Sequence, residues 1–119
     1  MIVEMRYIAH QPLPEPEFGL AFYRQDGVHV SGPNTRLGGL KMGTVQGVGV
    51  VRYCIDNLPL LPARYQVTAA IHDSRRAHAF DYHEEAYGFQ VEAGANKDVY
   101  GLLELPATWS WEPAASEPD

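Results

Sequence analysis

Residues 58–91 read Leu-Pro-Leu-Leu-Pro-Ala-Arg-Tyr-Gln-Val-Thr-Ala-Ala-Ile-His-Asp-Ser-Arg-Arg-Ala-His-Ala-Phe-Asp-Tyr-His-Glu-Glu-Ala-Tyr-Gly-Phe-Gln-Val. This stretch decides the fold, because it holds a corner, a strand, a polar crossing and a second strand. Pro59 and Pro62 fix φ and remove two backbone donors, so no ladder runs through the corner and the chain turns before Tyr65. Beyond it Tyr65, Val67, Ala69 and Ile71 alternate with Gln66, Thr68, Ala70 and His72, the period of a strand with one buried face. A Tyr just after a Leu-rich, Pro-containing corner has the form of a tyrosine corner, in which the hydroxyl bonds upstream backbone and locks a Greek-key crossover. The plainer reading is a large core side chain whose hydroxyl needs some partner. From His72 to Glu85 the chain is polar, and then Tyr87, Phe89 and Val91 alternate again. Three of the five histidines fall in this connection, so any chemistry is expected near it.

Working outward, Val3, Met5, Tyr7 and Ala9 oppose Glu4 and Arg6, which predicts a strand over 2–9. Residues 11–16 carry three prolines and predict an extended connection without a ladder. Phe18, Leu20 and Phe22 alternate with Gly19, Ala21 and Tyr23 in a strand over 17–24. Gln25-Asp26-Gly27 then turns the chain into Val28-His29-Val30. Gly32-Pro33-Asn34-Thr35 is a turn, and Gly38-Gly39 continues the loop. Over 45–56, Gly49, Val51, Tyr53 and Ile55 share one face, with Val48, Val50, Arg52 and Cys54 on the other. Gly47 and Gly49 there signal a bulge or a close backbone approach. Residues 93–97 make a turn, and 99–105 read as a last strand, apolar on both faces. Trp109 and Trp111 follow Pro106, and the acidic, Pro-containing tail 112–119 is expected to be disordered. Short strands, regular turn signals and no helical period predict an all-β chain: one antiparallel β-sandwich domain over 1–111.

Composition narrows the function. A net charge of −6 disfavours an electrostatic grip on nucleic acid or on an anionic membrane. No apolar run approaches the roughly 20 residues of a spanning helix. Glu4 and Arg6 interrupt the apolar start, so it does not read as a signal peptide. The single Cys54 is expected to be a buried small hydrophobe in a reducing compartment.

Catalytic patterns fail on inspection. His72, Asp73, His78, Asp81 and His83 match no familiar metal-ligand spacing, so no metal or other cofactor is expected. Ser74, His78 and Asp81 lack a nucleophile elbow and an oxyanion loop. Glu84 and Glu85, adjacent in a strand, point to opposite faces and cannot act as a glycosidase pair. The glycines of 32–39 lack the Gly-Lys-Ser/Thr ending of a phosphate loop. The chain therefore does not read as an enzyme. A binding role fits better, since a sugar site needs planar hydrogen-bonding groups beside an aromatic ring. Tyr23, Gln66, Thr68, His72 and Gln90 offer these on one face, with small Gly19, Ala21 and Ala70 leaving a trough between them. Arg75, His78, Asp81 and Tyr82 of the polar connection are expected to overhang it. The competing reading is an ordinary solvated sheet face.

The stretch LPLLPARYQVTAAIHDSRRAHAFDYHEEAYGFQV, with the upstream DGVHVSGPNTR, resembles the carbohydrate-binding C-terminal domain of the ATPase subunit of ABC-type O-antigen polysaccharide exporters, the Wzt type. The likeness runs from about Val3 to Trp109 and is most specific at Gly32–Thr35, at Leu60-Leu61-Pro62 and at Asp81-Tyr82-His83. It implies a jelly-roll-like or immunoglobulin-like sandwich that recognises a finished polysaccharide at its modified non-reducing end. The implied partners are the glycan and the exporter's ATPase and permease subunits. The implied place is the cytoplasmic side of the inner membrane, held there through the exporter without direct insertion. It further implies an element preceding the strand at 2–9, and a homodimer made by exchanging a terminal strand, for which 99–105 is the candidate. Two other classes stay open at this point: a structural dimerisation module that binds no glycan, and a metal-dependent sugar-modifying enzyme.

Overall fold

Alternating residues resolve into six strands in the computed structural model, which describes residues 1–73, 79–94 and 98–114. They are β1 (Ile2–Pro14), β2 (Glu17–Arg24), β3 (His29–Ser31), β4 (Thr44–Cys54), β5 (Ala63–His72) and β6 (Ala79–Val91). β1 and β4 form a two-stranded sheet, and a four-stranded sheet has the order β3-β2-β5-β6. All pairings are antiparallel, and no helix occurs among the described residues.

The inner faces of the two sheets meet over a core of Leu20, Phe22 and Val67. Val3 and Met5 of β1, with Tyr53 and Ile55 from β4 and its end, pack onto it from the opposite sheet. Fully burying a side chain such as Leu20, Phe22 or Val67 contributes about 1.5–3 kcal/mol, and the partly buried Val3, Met5, Tyr53 and Ile55 add a smaller share each. A second cluster of Leu60, Tyr65 and Val91 closes one end, with the Tyr65 and Phe89 rings stacked at 5.2 Å. At the corner the Tyr65 hydroxyl donates to the Leu61 carbonyl at 2.5 Å, as a tyrosine corner requires.

Both glycine signals in β4 are structural. Gly47 takes φ +78°, and it stands where the β1–β4 register slips between Ala9 and Leu13. Gly49 faces Tyr7 across the ladder, and a Cβ there would collide with the Tyr7 ring. The hairpin after β2 also forms as expected, with Gly27 at φ +91° and Arg24 clamped to Asp26 at 2.6 Å.

Four local expectations are corrected. β1 does not stop before the prolines: after the slip, Leu13 pairs with Val45 and Pro14 with Thr44. Among the described residues β1 has a single hydrogen-bonded neighbour, and an edge strand can accommodate residues that donate nothing. The polar connection after β5 is shorter than its composition suggests, because Ala79–His83 already belong to β6 and register with Ala69–His72. Polar side chains there mark an exposed edge strand, which backbone pairing holds without an apolar pattern. Residues 99–105 form no strand. Leu103 makes an isolated bridge to Leu60, flanked by Leu61 N–H to Leu102 O at 3.1 Å and Glu104 N–H to Pro59 O at 2.7 Å. Pro59 and Pro62 deprive the facing corner of donors, so the ladder cannot extend. Cys54 is exposed, since it registers with Ile2 on the uncovered outer face of the β1–β4 pair. A compartment therefore cannot be read from its burial. Of the tail 112–119, residues 115–119 lie outside the described residues.

Candidate functional site

Because side chains alternate along a strand, the register assigns every residue of the four-stranded sheet to one of two faces. Phe22, Val67 and Tyr87 form one inward row, and Leu20, Ala69 and His83 another. The outward rows lie between them. Tyr23, Gln66 and Gly88 lie side by side across β2, β5 and β6, as do Gly19, Ala70 and Tyr82. Arg64 and Gln90 pair at the next outward position.

The outward face thus has a floor of Gly19, Ala21, Ala70 and Gly88, bordered by tyrosines and amides. Asn34 bridges to Gly19 at the β2 side and turns the following loop by accepting from Leu37 N–H at 2.7 Å. The Tyr23 ring rests against His29 at 5.1 Å, which holds it in place at the border. Over Gly88 the missing side chain opens a cleft of about 290 Å³, to which Gln25, Arg64, Gln66 and Gln90 contribute polar groups. A bond from Gln25 N–H to Arg64 O at 2.8 Å fixes the hairpin against this end.

A larger cavity of about 360 Å³ opens on the inward side, between β1 and the β5–β6 pair. Its lining is mainly apolar, including Met5, Leu20, Val67 and Phe89, with Asp81, His83 and Tyr87 at the rim. It exists because a two-stranded sheet cannot cover a four-stranded one. His83 Nε2 lies 3.1 Å from Asp81 and Nδ1 lies 2.5 Å from the Tyr87 hydroxyl. A proton on Nε2 satisfies both contacts, with Nδ1 accepting from the phenol. Among the described residues no group of three His, Cys, Asp or Glu converges on one point.

The residues singled out from sequence divide accordingly. Tyr23, Gln66, Tyr82 and Gln90 stand together on the outward face, with Gln66, Tyr82 and Gln90 exposed. His72 is half-buried at the far end of that face, registered with Glu17 and Ala79. Thr68 is not available: it is 5% exposed, and its hydroxyl accepts from Glu85 N–H at 2.8 Å. The cause is a bulge in β6, where Glu84–Ala86 intervene between the pairs Val67–Tyr87 and Ala69–His83 and Glu85 takes φ +46°. Asp81 registers with Ile71 on the inward face and cannot overhang the trough. Arg75 and His78 lie outside the described residues. Arg64, Gln25 and Gly88 were not anticipated. Arg64 was legible as the residue two before Gln66 on the polar side of β5, and Gly88 as the gap between two inward aromatics. Gln25 is brought in only by the folding back of the hairpin.

Two antiparallel sheets closed over one apolar layer define a β-sandwich domain, and the polar, glycine-floored outer face gives it a surface suited to binding. Residues 1–105 match the family described as the Wzt C-terminal domain, and the chain belongs to that family. The chain is similar in fold to the crystal structure of the C-terminal domain of wzt, with a TM-score of 0.80. The match covers 93% of this chain and 69% of that chain at 15% identity. No curated protein matches the chain. The family is the C-terminal domain of a transporter ATPase subunit, not a catalytic domain of its own.

Proposed function

We propose that this domain binds a polysaccharide without catalysis, through the outward face of β2, β5 and β6, and presents it to an ABC exporter. The observation that carries the reading is the cleft over Gly88. Its amides from Gln66 and Gln90 can each donate and accept to sugar hydroxyls, and the exposed Tyr82 ring beyond Ala70 offers a stacking surface. The hairpin residue Gln25 bounds the cleft at one end, which favours the terminus of a glycan over an internal stretch, in keeping with recognition of a modified non-reducing end. Affinity is expected between micromolar and millimolar, because exchanging water for protein hydrogen bonds gains little per bond.

The exporter's ATPase and permease subunits are the proposed partners. Placement on the cytoplasmic side of the inner membrane follows from that association. No helix among the described residues is long and apolar enough to cross a membrane. Dimerisation belongs to the same proposal: Val99, Tyr100, Leu103 and Leu105 are exposed, and beyond the isolated bridge of Leu103 to Leu60 a second copy supplies a strand partner for 99–105. The test of the binding reading is to titrate the domain with the source organism's surface polysaccharide, intact and end-trimmed. Binding of the intact glycan alone supports terminal recognition, equal binding of both places the contact along the chain, and binding of neither removes the reading.

A further inference from the structure

Among the described residues the arginines share a habit that one of them breaks. Arg6 pairs with Glu4 at 3.4 Å, Arg24 with Asp26 at 2.6 Å, Arg36 with Glu17 at 3.2 Å and Arg52 with Glu4 at 3.2 Å. Arg64 has no carboxylate within ion-pair distance among the described residues, although the chain carries 15 acidic residues against nine basic ones. It is also the arginine that lines the polar cleft, whose other polar side chains are Gln25, Gln66 and Gln90. Among the described residues no carboxylate lines this cleft, so none of them neutralises the guanidinium or repels an anion there.

We infer that the cleft over Gly88 is an anion subsite, taking a carboxylate or phosphate group carried on a sugar. The chemistry follows from the donor set. A guanidinium presents forked N–H groups that match two oxygens of a carboxylate or phosphate, and three primary amides can each donate one further bond. Gly88 leaves the space, since a Cβ there would meet nothing nearer than the Tyr65 carbonyl oxygen at 3.6 Å. Arg64 is set by its backbone, paired with Gln90 across the ladder and bonded through its carbonyl to Gln25. The inference rests on the proposed glycan-binding role of this face and adds the charge class of the group bound there.

The test is an NMR titration of the folded domain with glucose, glucuronate, glucose 6-phosphate and inorganic phosphate at low ionic strength, on wild type, Arg64→Gln and the control Arg52→Gln. Expected are shifts centred on the amides of Arg64, Gln66, Gly88 and Gln90. At least one anionic sugar should bind about tenfold more tightly than glucose and more tightly than inorganic phosphate, with the advantage shrinking in high salt. Arg64→Gln should remove that advantage and Arg52→Gln should keep it. Equal binding of glucose and both anionic sugars, inorganic phosphate equalling the anionic sugars, or an advantage that survives Arg64→Gln would overturn the inference. Failure of the underlying role is distinguishable: if the source polysaccharide still binds Arg64→Gln as wild type but not Gln66→Ala, the face binds glycan and only the anion subsite is wrong.

Discussion

The Tyr65 hydroxyl reaches back four residues to the Leu61 carbonyl at 2.5 Å, tying the start of β5 to the proline corner that precedes it. Tyr65 is 1% exposed, so neither partner has water as a substitute. Tyr65→Phe should therefore cost about 1–3 kcal/mol, the range for leaving a buried acceptor unsatisfied. A denaturant titration checks it, and an unchanged midpoint would reduce Tyr65 to a packing residue.

The same burial pushes the Tyr65 phenol above its ordinary pKa, because the folded site disfavours the phenolate. For a group whose folded value is raised, the contribution to stability is whole below the unfolded value, about 10 for tyrosine, and is lost as pH rises through the folded value. Stability of the wild type should consequently fall more steeply above about pH 10 than that of Tyr65→Phe. Parallel pH profiles for the two proteins would contradict this.

Gly49 and Tyr7 form a second obligatory pair. Gly49→Ala should destabilise by about 1–3 kcal/mol through overpacking against the Tyr7 ring. Trimming the ring in the double variant Tyr7→Ala/Gly49→Ala should make the Gly49 substitution nearly neutral relative to Tyr7→Ala alone. A double-mutant cycle with no coupling would show that the ladder shifts to make room.

Residues 99–105 predict assembly. Light scattering at micromolar concentration should report a homodimer, and Leu103→Asp with Leu105→Asp should give a monomer that keeps its β-sheet circular dichroism. A wild-type monomer would contradict the strand-exchange proposal.

How far the sequence could be read depended on which force set each element. Where burial decided, period-2 patterning sufficed: the inward faces of β1, β2, β4 and β5 follow the apolar positions, and the Pro-Leu-Leu-Pro corner with Tyr65 announced the crossover. Backbone pairing overrode pattern at Ala79–His83 and at Leu13-Pro14, where polar or proline residues joined ladders at open edges. The trough was half legible. Tyr23 and Gln66 share a face because alternation in β2 and β5 is regular, and the β6 register sets Tyr82 beside Ala70 and Gln90 beside Arg64 on that same face despite the bulge between them. Thr68 and Asp81 went astray at the β6 edge, since a bulge over Glu84–Ala86 and the early start of the strand set their neighbours and no local propensity marks either.

The proposed glycan lies on the outward face of β2, β5 and β6. Titration calorimetry with the source organism's intact surface polysaccharide, on wild type, Gln66→Ala, Tyr82→Ala and the inward-facing Asp81→Ala, tests this placement most directly. The two outward substitutions should abolish detectable binding with melting temperatures nearly unchanged, while Asp81→Ala should bind as wild type. Undiminished binding by both outward variants, or loss confined to Asp81→Ala, would contradict it.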